Sequence, residues 1–324
     1  MRLYDNTRLS AYKRCPRYYM YRHEFHWAPK GNATALVFGG AWHAAQEVIW
    51  ASIGAMPKKD LATRAFGAFL QHWCGEGMPA PGDMDYAMEQ ELSPRTPGRA
   101  FEMIVAYIDK RLPQAGDFEL IAIEKPFIVP LDPEDDTLFY IGKIDKIVRR
   151  GKKVLGIEHK TTSLYRKGGP FRGNFIDSFS PNSQVDGYIY ALHMMFPGEV
   201  GGVWVDGALV HKTEDGFIFI PIEKRAEMLD SWLSDTGWWI AQLEIEKARL
   251  LQEQQRNDPS IYLRAFPKRT ESCIDFSTTC CYIDLCRAWP NPVGKPLPPG
   301  FELSRWDPLD HIKGLDNLRE DTPT

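Results

Sequence analysis

Between Tyr140 and Thr161 the chain reads YIGKIDKIVRRGKKVLGIEHKT, with Ile141, Ile144, Ile147 and Val148 before a basic break and Val154, Leu155 and Ile157 after it. Apolar residues at strand spacing on both sides of a glycine-centred polar stretch predict a hairpin that turns at Gly151. Upstream, VFGGAWHAAQEVIWASIG predicts a helix entered through Gly39 and Gly40, with Trp42, Ala45, Val48 and Ile49 as its apolar stripe and His43 near its first turn. Further helices are expected over 56–76 and 99–111, separated by a Pro/Gly-rich loop over 77–98. Strands are expected over 118–130, 203–212 and 217–222, and a helix starts near Ser183 in SPNSQVDGYIYALHMMF. A long helix over 223–256 carries Trp232, Trp238 and Trp239 on its apolar side. From Pro290 onward periodicity fades, which predicts an irregular tail. The order of helices, strands, a helix, strands and a helix is that of an α/β protein without internal repeats.

The alternation of side chains along a strand makes the hairpin chemically interesting. Glu158 and Lys160 must share one face while Ile157 and His159 face the other. Pairing across Gly151 brings Asp145 opposite Glu158 or one residue away, near enough for both carboxylates to hold one cation. Two hard oxygen ligands beside a lysine suit Mg2+ or Mn2+; the competing reading is a solvated strand face.

Composition narrows the setting. The 324 residues are 44% hydrophobic and 12% aromatic, enough for a substantial core, and the formal net charge of -4 excludes a global basic field, so any nucleic-acid contact must be local. The N-terminal MRLYDNTRLSAYKRCPRYYMYR lacks the apolar run of a signal peptide, and no later run reaches the roughly 18 apolar residues of a membrane span. A cytoplasmic protein is expected. In the same N-terminal segment Tyr12, Tyr18, Tyr19, Tyr21 and Trp27 interleave with Lys13, Arg14, Arg17 and Arg22. That suits a surface meeting a nucleic-acid strand, or equally an amphipathic helix whose rings are core.

The six cysteines are unevenly placed: Cys15 and Cys74 stand alone, whereas Cys273, Cys280, Cys281 and Cys286 crowd together. Such spacing points to a metal or cluster site, with Cys15 as a fourth ligand to Cys273, Cys280 and Cys286, and admits either a four-iron cluster or zinc. Buried free thiols are the alternative.

These pieces, SAYKRCPRYYMYR, FGGAWH, GKID, IEHK, QVDGY and CIDFSTTCCYIDLC, stand in an order that resembles the PD-(D/E)XK nuclease superfamily, in particular its RecB-like iron-sulfur branch. That branch includes CRISPR adaptation exonucleases, helicase-nuclease nuclease domains and phage exonucleases. The resemblance implies a restriction-endonuclease-like core, a central mixed sheet flanked by helices, over 116–222. Around it would lie an N-terminal arm and helical region over 1–115, a C-terminal helix and cysteine cluster over 223–290, and an irregular tail over 291–324. It further implies Asp145 and Glu158 as metal-binding carboxylates, Lys160 as the active-site lysine, and His43 and the backbone carbonyl of His159 as additional metal ligands. Gln184 and Tyr188, four apart on one helical face, match the motif after the core helix. Cys15, Cys273, Cys280 and Cys286 would hold a 4Fe-4S cluster, although adjacent Cys280 and Cys281 replace the usual Cys-Pro. The implied activity is a Mg2+- or Mn2+-dependent DNA exonuclease acting on single-stranded or end-opened DNA, in a phage, repair or recombination setting that admits a helicase or recombination protein as partner. The alternative is a nuclease fold that binds nucleic acid or a protein without cutting.

Overall fold

A computed structural model describes residues 1–31, 33–165, 169, 171–256, 260–275 and 278–312. The chain runs β1 (Arg2–Tyr4), α1 (Asn6–Arg14), α2 (Pro16–Tyr19), β2 (Trp27–Pro29), α3 (Thr34–Ser52), α4 (Lys58–Gly75), α5 (Tyr86–Leu92), α6 (Pro97–Arg111), β3 (Glu119–Pro130), β4 (Leu138–Arg150) and β5 (Lys153–Thr162). It continues α7 (Gly173–Asp177), α8 (Ser183–Met195), β6 (Val200–Leu209), β7 (Phe217–Ile222), α9 (Ala226–Gln254), β8 (Ile274–Asp275), β9 (Thr278–Thr279), α10 (Ile283–Ala288) and β10 (Phe301–Leu303). Two compact units result: one from residues 1–31, 128–142 and 226 onward, the other from 32–127 and 143–225.

The second unit carries the mixed sheet. β4 pairs antiparallel with β5, β5 parallel with β6, and β6 antiparallel with β7. The parallel step is bridged by α7 and α8, the crossover that parallel strands require. Gly151 turns the β4–β5 hairpin with φ 60°, a left-handed conformation that glycine adopts without a Cβ clash. The last paired residues are Lys146 and Ile157, so the register runs on to set Asp145 against Glu158. Helices cover the sheet. Phe38, Trp42, Phe69, Trp73, Met103 and Ile104 from α3, α4 and α6 form a buried cluster that includes Ala208 of β6, while α8 packs against β5 and β6. This α/β arrangement is the restriction-endonuclease-like core expected from the sequence.

α3 differs from its expected outline. It begins at Thr34, so Gly39 and Gly40 lie inside it and His43 falls in the middle of the helix rather than in its first turn. The reason is close packing: a Cβ on Gly40 would stand 2.4 Å from Nε2 of His72 on α4, so glycine there permits helix contact and does not mark a helix start. The Pro/Gly-rich loop also contains a helix, α5, whose N-cap Asp85 accepts from the Met88 N–H at 2.8 Å.

In the first unit, β1 pairs in parallel with the start of β4, and β2 pairs antiparallel with β10, so the described part of the C-terminal tail contains a strand. The tail from 313 to 324 lies outside the described residues. Tyr12, Tyr19 and Phe266 form a ring cluster, and buried Arg17 donates to the Phe266 carbonyl oxygen at 2.9 Å. On α9, Trp232 is buried against Tyr140, but Trp238 is 55% exposed, contrary to the single apolar side expected. A helix of 29 residues presents several faces over its length, and spacing alone does not say which meet the core. Among the described residues no helix is long and apolar enough to cross a membrane.

Candidate metal centre

Strand alternation governs the centre of the second unit. Lys160 extends its ammonium between Oε1 of Glu158, at 2.6 Å, and Oε1 of Gln184, at 3.1 Å. Gln184 uses both amide hydrogens, donating to Glu158 Oε1 at 3.0 Å and to the Tyr188 hydroxyl at 3.0 Å. Its place in the first turn of α8 is secured by Asn182, whose side chain accepts from the N–H groups of Gln184 and Val185. Tyr188 follows four residues later on the same face. Oε2 of Glu158 is buried and has no hydrogen-bond partner among the described residues.

On the adjoining strand, Asp145 Oδ2 accepts the His159 N–H at 2.8 Å and lies 3.3 Å from Nδ1 of His43 on α3. A carboxylate oxygen of Glu124, on β3, completes a triad with these two, the three ligand atoms lying within 4.8 Å of one another. Glu124 is absent from the sequence expectation. Its φ is 50°, unusual for a residue with a side chain, and β3 pairs with β4, which carries Asp145. Lys143 forms an ion pair with it.

Electrostatics separate the two carboxylates of the hairpin. Burial favours protonation of Asp145, but the charge and hydrogen bond of His43, with Lys146, outweigh it and hold this carboxyl well below the usual range. The same pairing raises His43 against the effect of its own burial. Glu158 is pushed up to about 7 by burial and by the charge of Asp145, against the pull of Lys160. Burial lowers Lys160, yet Glu158 and Asp145 more than compensate and keep it charged.

The side chain of His159 lies on the face of β5 opposite to Glu158 and Lys160, with its ring edge-on to that of His43 at 5.9 Å. Its ring also stands edge-on to Trp50, and Nδ1 is 3.5 Å from Oδ2 of Asp206, but neither ring nitrogen has a hydrogen-bond partner among the described residues. Burial, followed by the charge of Lys146, holds it neutral. Asp206 is itself tied to Arg111 by an ion pair and accepts from the Tyr107 hydroxyl at 2.5 Å. Lys146 is another residue that sequence reasoning did not single out: it is fully buried and its Nζ has no hydrogen-bond partner among the described residues.

In the first unit, Cys15, Cys273, Cys280 and Cys286 line one small cavity; Cys281 does not, and is exposed. The Arg269 N–H approaches Cys15 Sγ at 3.4 Å, and the Cys280 N–H donates to the Cys273 carbonyl oxygen at 2.9 Å. A hydrogen bond from Cys281, opposed by burial, lowers the Cys280 thiol to about 6.

A sequence model of the PD-(D/E)XK nuclease superfamily matches residues 6–287. The chain belongs to this superfamily. As a PD-(D/E)XK nuclease it has a nucleic acid as its substrate, and nucleases of the superfamily generally use divalent metal ions. Among solved structures it is similar to a candidate exonuclease from Eubacterium rectale, with 14% identity over 75% of this chain and 79% of that one and a TM-score of 0.41. It is also similar to SSO0001, with 13% identity over 47% of this chain and 63% of that one and a TM-score of 0.26. No curated protein sequence matches it.

Proposed function

We propose that the chain is a metal-dependent DNA exonuclease of the RecB-like iron-sulfur branch, hydrolysing phosphodiester bonds in single-stranded or end-opened DNA. The observation that carries this reading is the meeting of Asp145, Glu158 and Lys160 across one hairpin with His43 on one side and Gln184 on the other. The donor set fits a hard divalent cation: a nitrogen and two carboxylates converge, and Glu158 keeps a buried oxygen without a partner among the described residues. Asp145, Glu158, His43 and the backbone carbonyl of His159 are its proposed ligands, and Glu124 joins them. Mg2+ or Mn2+ supplies charge neutralisation and lowers the pKa of a bound water.

The polypeptide's own contribution is positioning. Gln184 and Glu158 fix the Lys160 ammonium where it orients the attacking water or offsets charge growing on the phosphate. Tyr188 orients the Gln184 amide. Asp145 is kept ionised by His43 and is oriented by the His159 N–H.

The four cavity-lining thiols are proposed to hold a 4Fe-4S cluster, and Cys280, with its lowered thiol, is the ligand rather than exposed Cys281. A cytoplasmic, phage-associated repair or recombination role beside a helicase or recombination protein completes the proposal.

The deciding assay incubates cluster-loaded protein with 5′-labelled and 3′-labelled single strands in Mg2+, Mn2+ or EDTA. Stepwise shortening from one end, abolished by EDTA and by Asp145→Ala, is expected. Intact strands in every metal, or equal degradation by Asp145→Ala, would defeat the reading.

A further inference from the structure

The first unit contains a cavity of about 360 Å3 lined by Thr7, Ser10, Arg14, Tyr18, Arg22 and Trp306. Its walls follow helical spacing. Thr7, Ser10 and Arg14 lie three and four positions apart on α1 and share a face, and Tyr18 and Arg22 repeat the four-residue step beyond Cys15, where the backbone is extended. Among the described residues no carboxylate lines the cavity. The Arg14 guanidinium sits 5.1 Å over the Tyr18 ring, and Arg22 donates to the Ser304 carbonyl oxygen at 2.7 Å. Among the described residues neither arginine has a carboxylate partner, which leaves two positive charges around one polar space.

Two further residues shape the wall. His23 also lines the cavity and is 7% exposed, with its Nδ1 buried away from the open space. Trp306 is turned by a 2.9 Å hydrogen bond from Nε1 to Asp5 Oδ2, which sets its ring in the wall. The other rings of the N-terminal segment are spent elsewhere: Tyr12, Tyr19, Tyr21 and Trp27 are buried. Of the aromatic and basic pattern, Arg14, Tyr18 and Arg22 are not buried and line this cavity, while Arg14 and Tyr18, whose ring stands 5.0 Å from that of Tyr282, also border the cysteine cavity.

We propose that this cavity is a phosphate subsite for the backbone of a nucleic-acid strand. Arg14 and Arg22 supply the charge, Thr7 a neutral polar contact, and Tyr18 and Trp306 rings for an adjoining base. Guanidinium groups suit this task because their planar donors match phosphate oxygens, and ring faces accept any base. A local pair of cations also reconciles a nucleic-acid substrate with a net charge of -4. The proposal rests on the reading of the chain as a nuclease acting on strands, but it concerns binding and not cleavage.

The test measures anisotropy of a labelled single-stranded oligonucleotide with full-length, cluster-loaded protein in EDTA across a salt series. Arg14→Gln and Arg22→Gln should each weaken binding and reduce the slope of log affinity against log salt by about 0.7, the value for one single-strand phosphate contact, and the pair by about 1.4. Arg→Lys at either position should restore much of the slope. Cleavage of an end-labelled strand in Mg2+ is read separately for the same variants, so failure of the nuclease reading and failure of this binding reading are distinguishable. Arg22→Gln alone, away from the cysteines, serves if the double variant does not fold. Unchanged slopes in folded variants overturn the proposal. If calorimetry shows that the double variant loses inorganic phosphate while its oligonucleotide slope is unchanged, the cavity is a free-phosphate site and the strand proposal falls.

Discussion

Lys160 holds its ammonium 2.6 Å from Oε1 of Glu158, two positions earlier on β5. That separation puts both side chains on the face covered by α8, where Gln184 accepts from Lys160 and donates to Glu158. Gln184 thus brackets the pair instead of adding charge. Gln184→Leu, similar in size but without the amide, should lower nuclease turnover by about 10- to 100-fold, the usual cost of losing an orienting partner. Single-turnover cleavage at saturating metal checks it, and a wild-type rate would remove Gln184 from the machinery.

Glu158 provides a pH signature. Its carboxyl is raised to about 7 by burial and by Asp145, so in the polypeptide without a cation it is mostly protonated at pH 6. Divalent metal binding needs the carboxylate, and therefore releases this proton together with one from His43, whose pKa is also raised. Apparent Mg2+ affinity should rise with pH through about 7, and Glu158→Gln should release fewer protons at pH 6. Calorimetry in buffers of different ionisation enthalpy counts them. Equal release by wild type and variant contradicts this coupling.

Glu124 stands with His43 and Asp145 in one donor group. Glu124→Gln keeps the volume and removes the charge, so Mn2+ affinity should drop by about 10- to 100-fold. Titration calorimetry on folded protein reads this without any cleavage assay. Unaltered affinity would leave Glu124 as no more than the ion-pair partner of Lys143.

How far such residues could be read from the chain depends on whether their placement is local. The hairpin is local: alternation sorts Glu158 and Lys160 from Ile157 and His159, and a turn at Gly151 forces Asp145 towards Glu158. Gln184 and Tyr188 follow from four-residue spacing on a helix. Glu124 does not, because its approach depends on a left-handed backbone within β3 and on pairing between β3 and β4. Gly40 was misleading for a similar reason, since its role is contact with His72 on another helix. The strands β1, β2 and β10, three residues each, acquire their structure from distant partners and carry no periodicity of their own.

The cysteine pocket distinguishes neighbouring thiols. Cys280 lines it and Cys281 is exposed, so Cys280→Ala should abolish visible absorbance and iron content and lower the melting temperature, while Cys281→Ala should retain all three. Iron analysis and absorbance on anaerobically prepared protein provide the comparison. A colourless, zinc-containing wild type would refute the cluster, and loss of iron in Cys281→Ala alone would reverse the ligand assignment.

Behind the hairpin, Asp206 is 1% exposed and is tied to Arg111 and Tyr107, with His159 at 3.5 Å. Burial raises the Asp206 carboxyl, but Arg111 and the Tyr107 hydroxyl oppose that rise and stabilise its charge. Asp206→Ala would leave the Arg111 guanidinium buried without its counterion, and breaking such a pair costs about 3–5 kcal/mol. Tyr107→Phe removes the hydrogen bond to the Asp206 carboxylate, worth about 1.5–3 kcal/mol, and with it the 2.9 Å bond that the hydroxyl accepts from Trp50 Nε1. The double variant should then lose less than the sum, because once Asp206 is gone the Tyr107 hydroxyl has lost its acceptor. Chemical denaturation of the three variants tests this order; strict additivity would mean that the two side chains contribute independently, against the 2.5 Å contact between them.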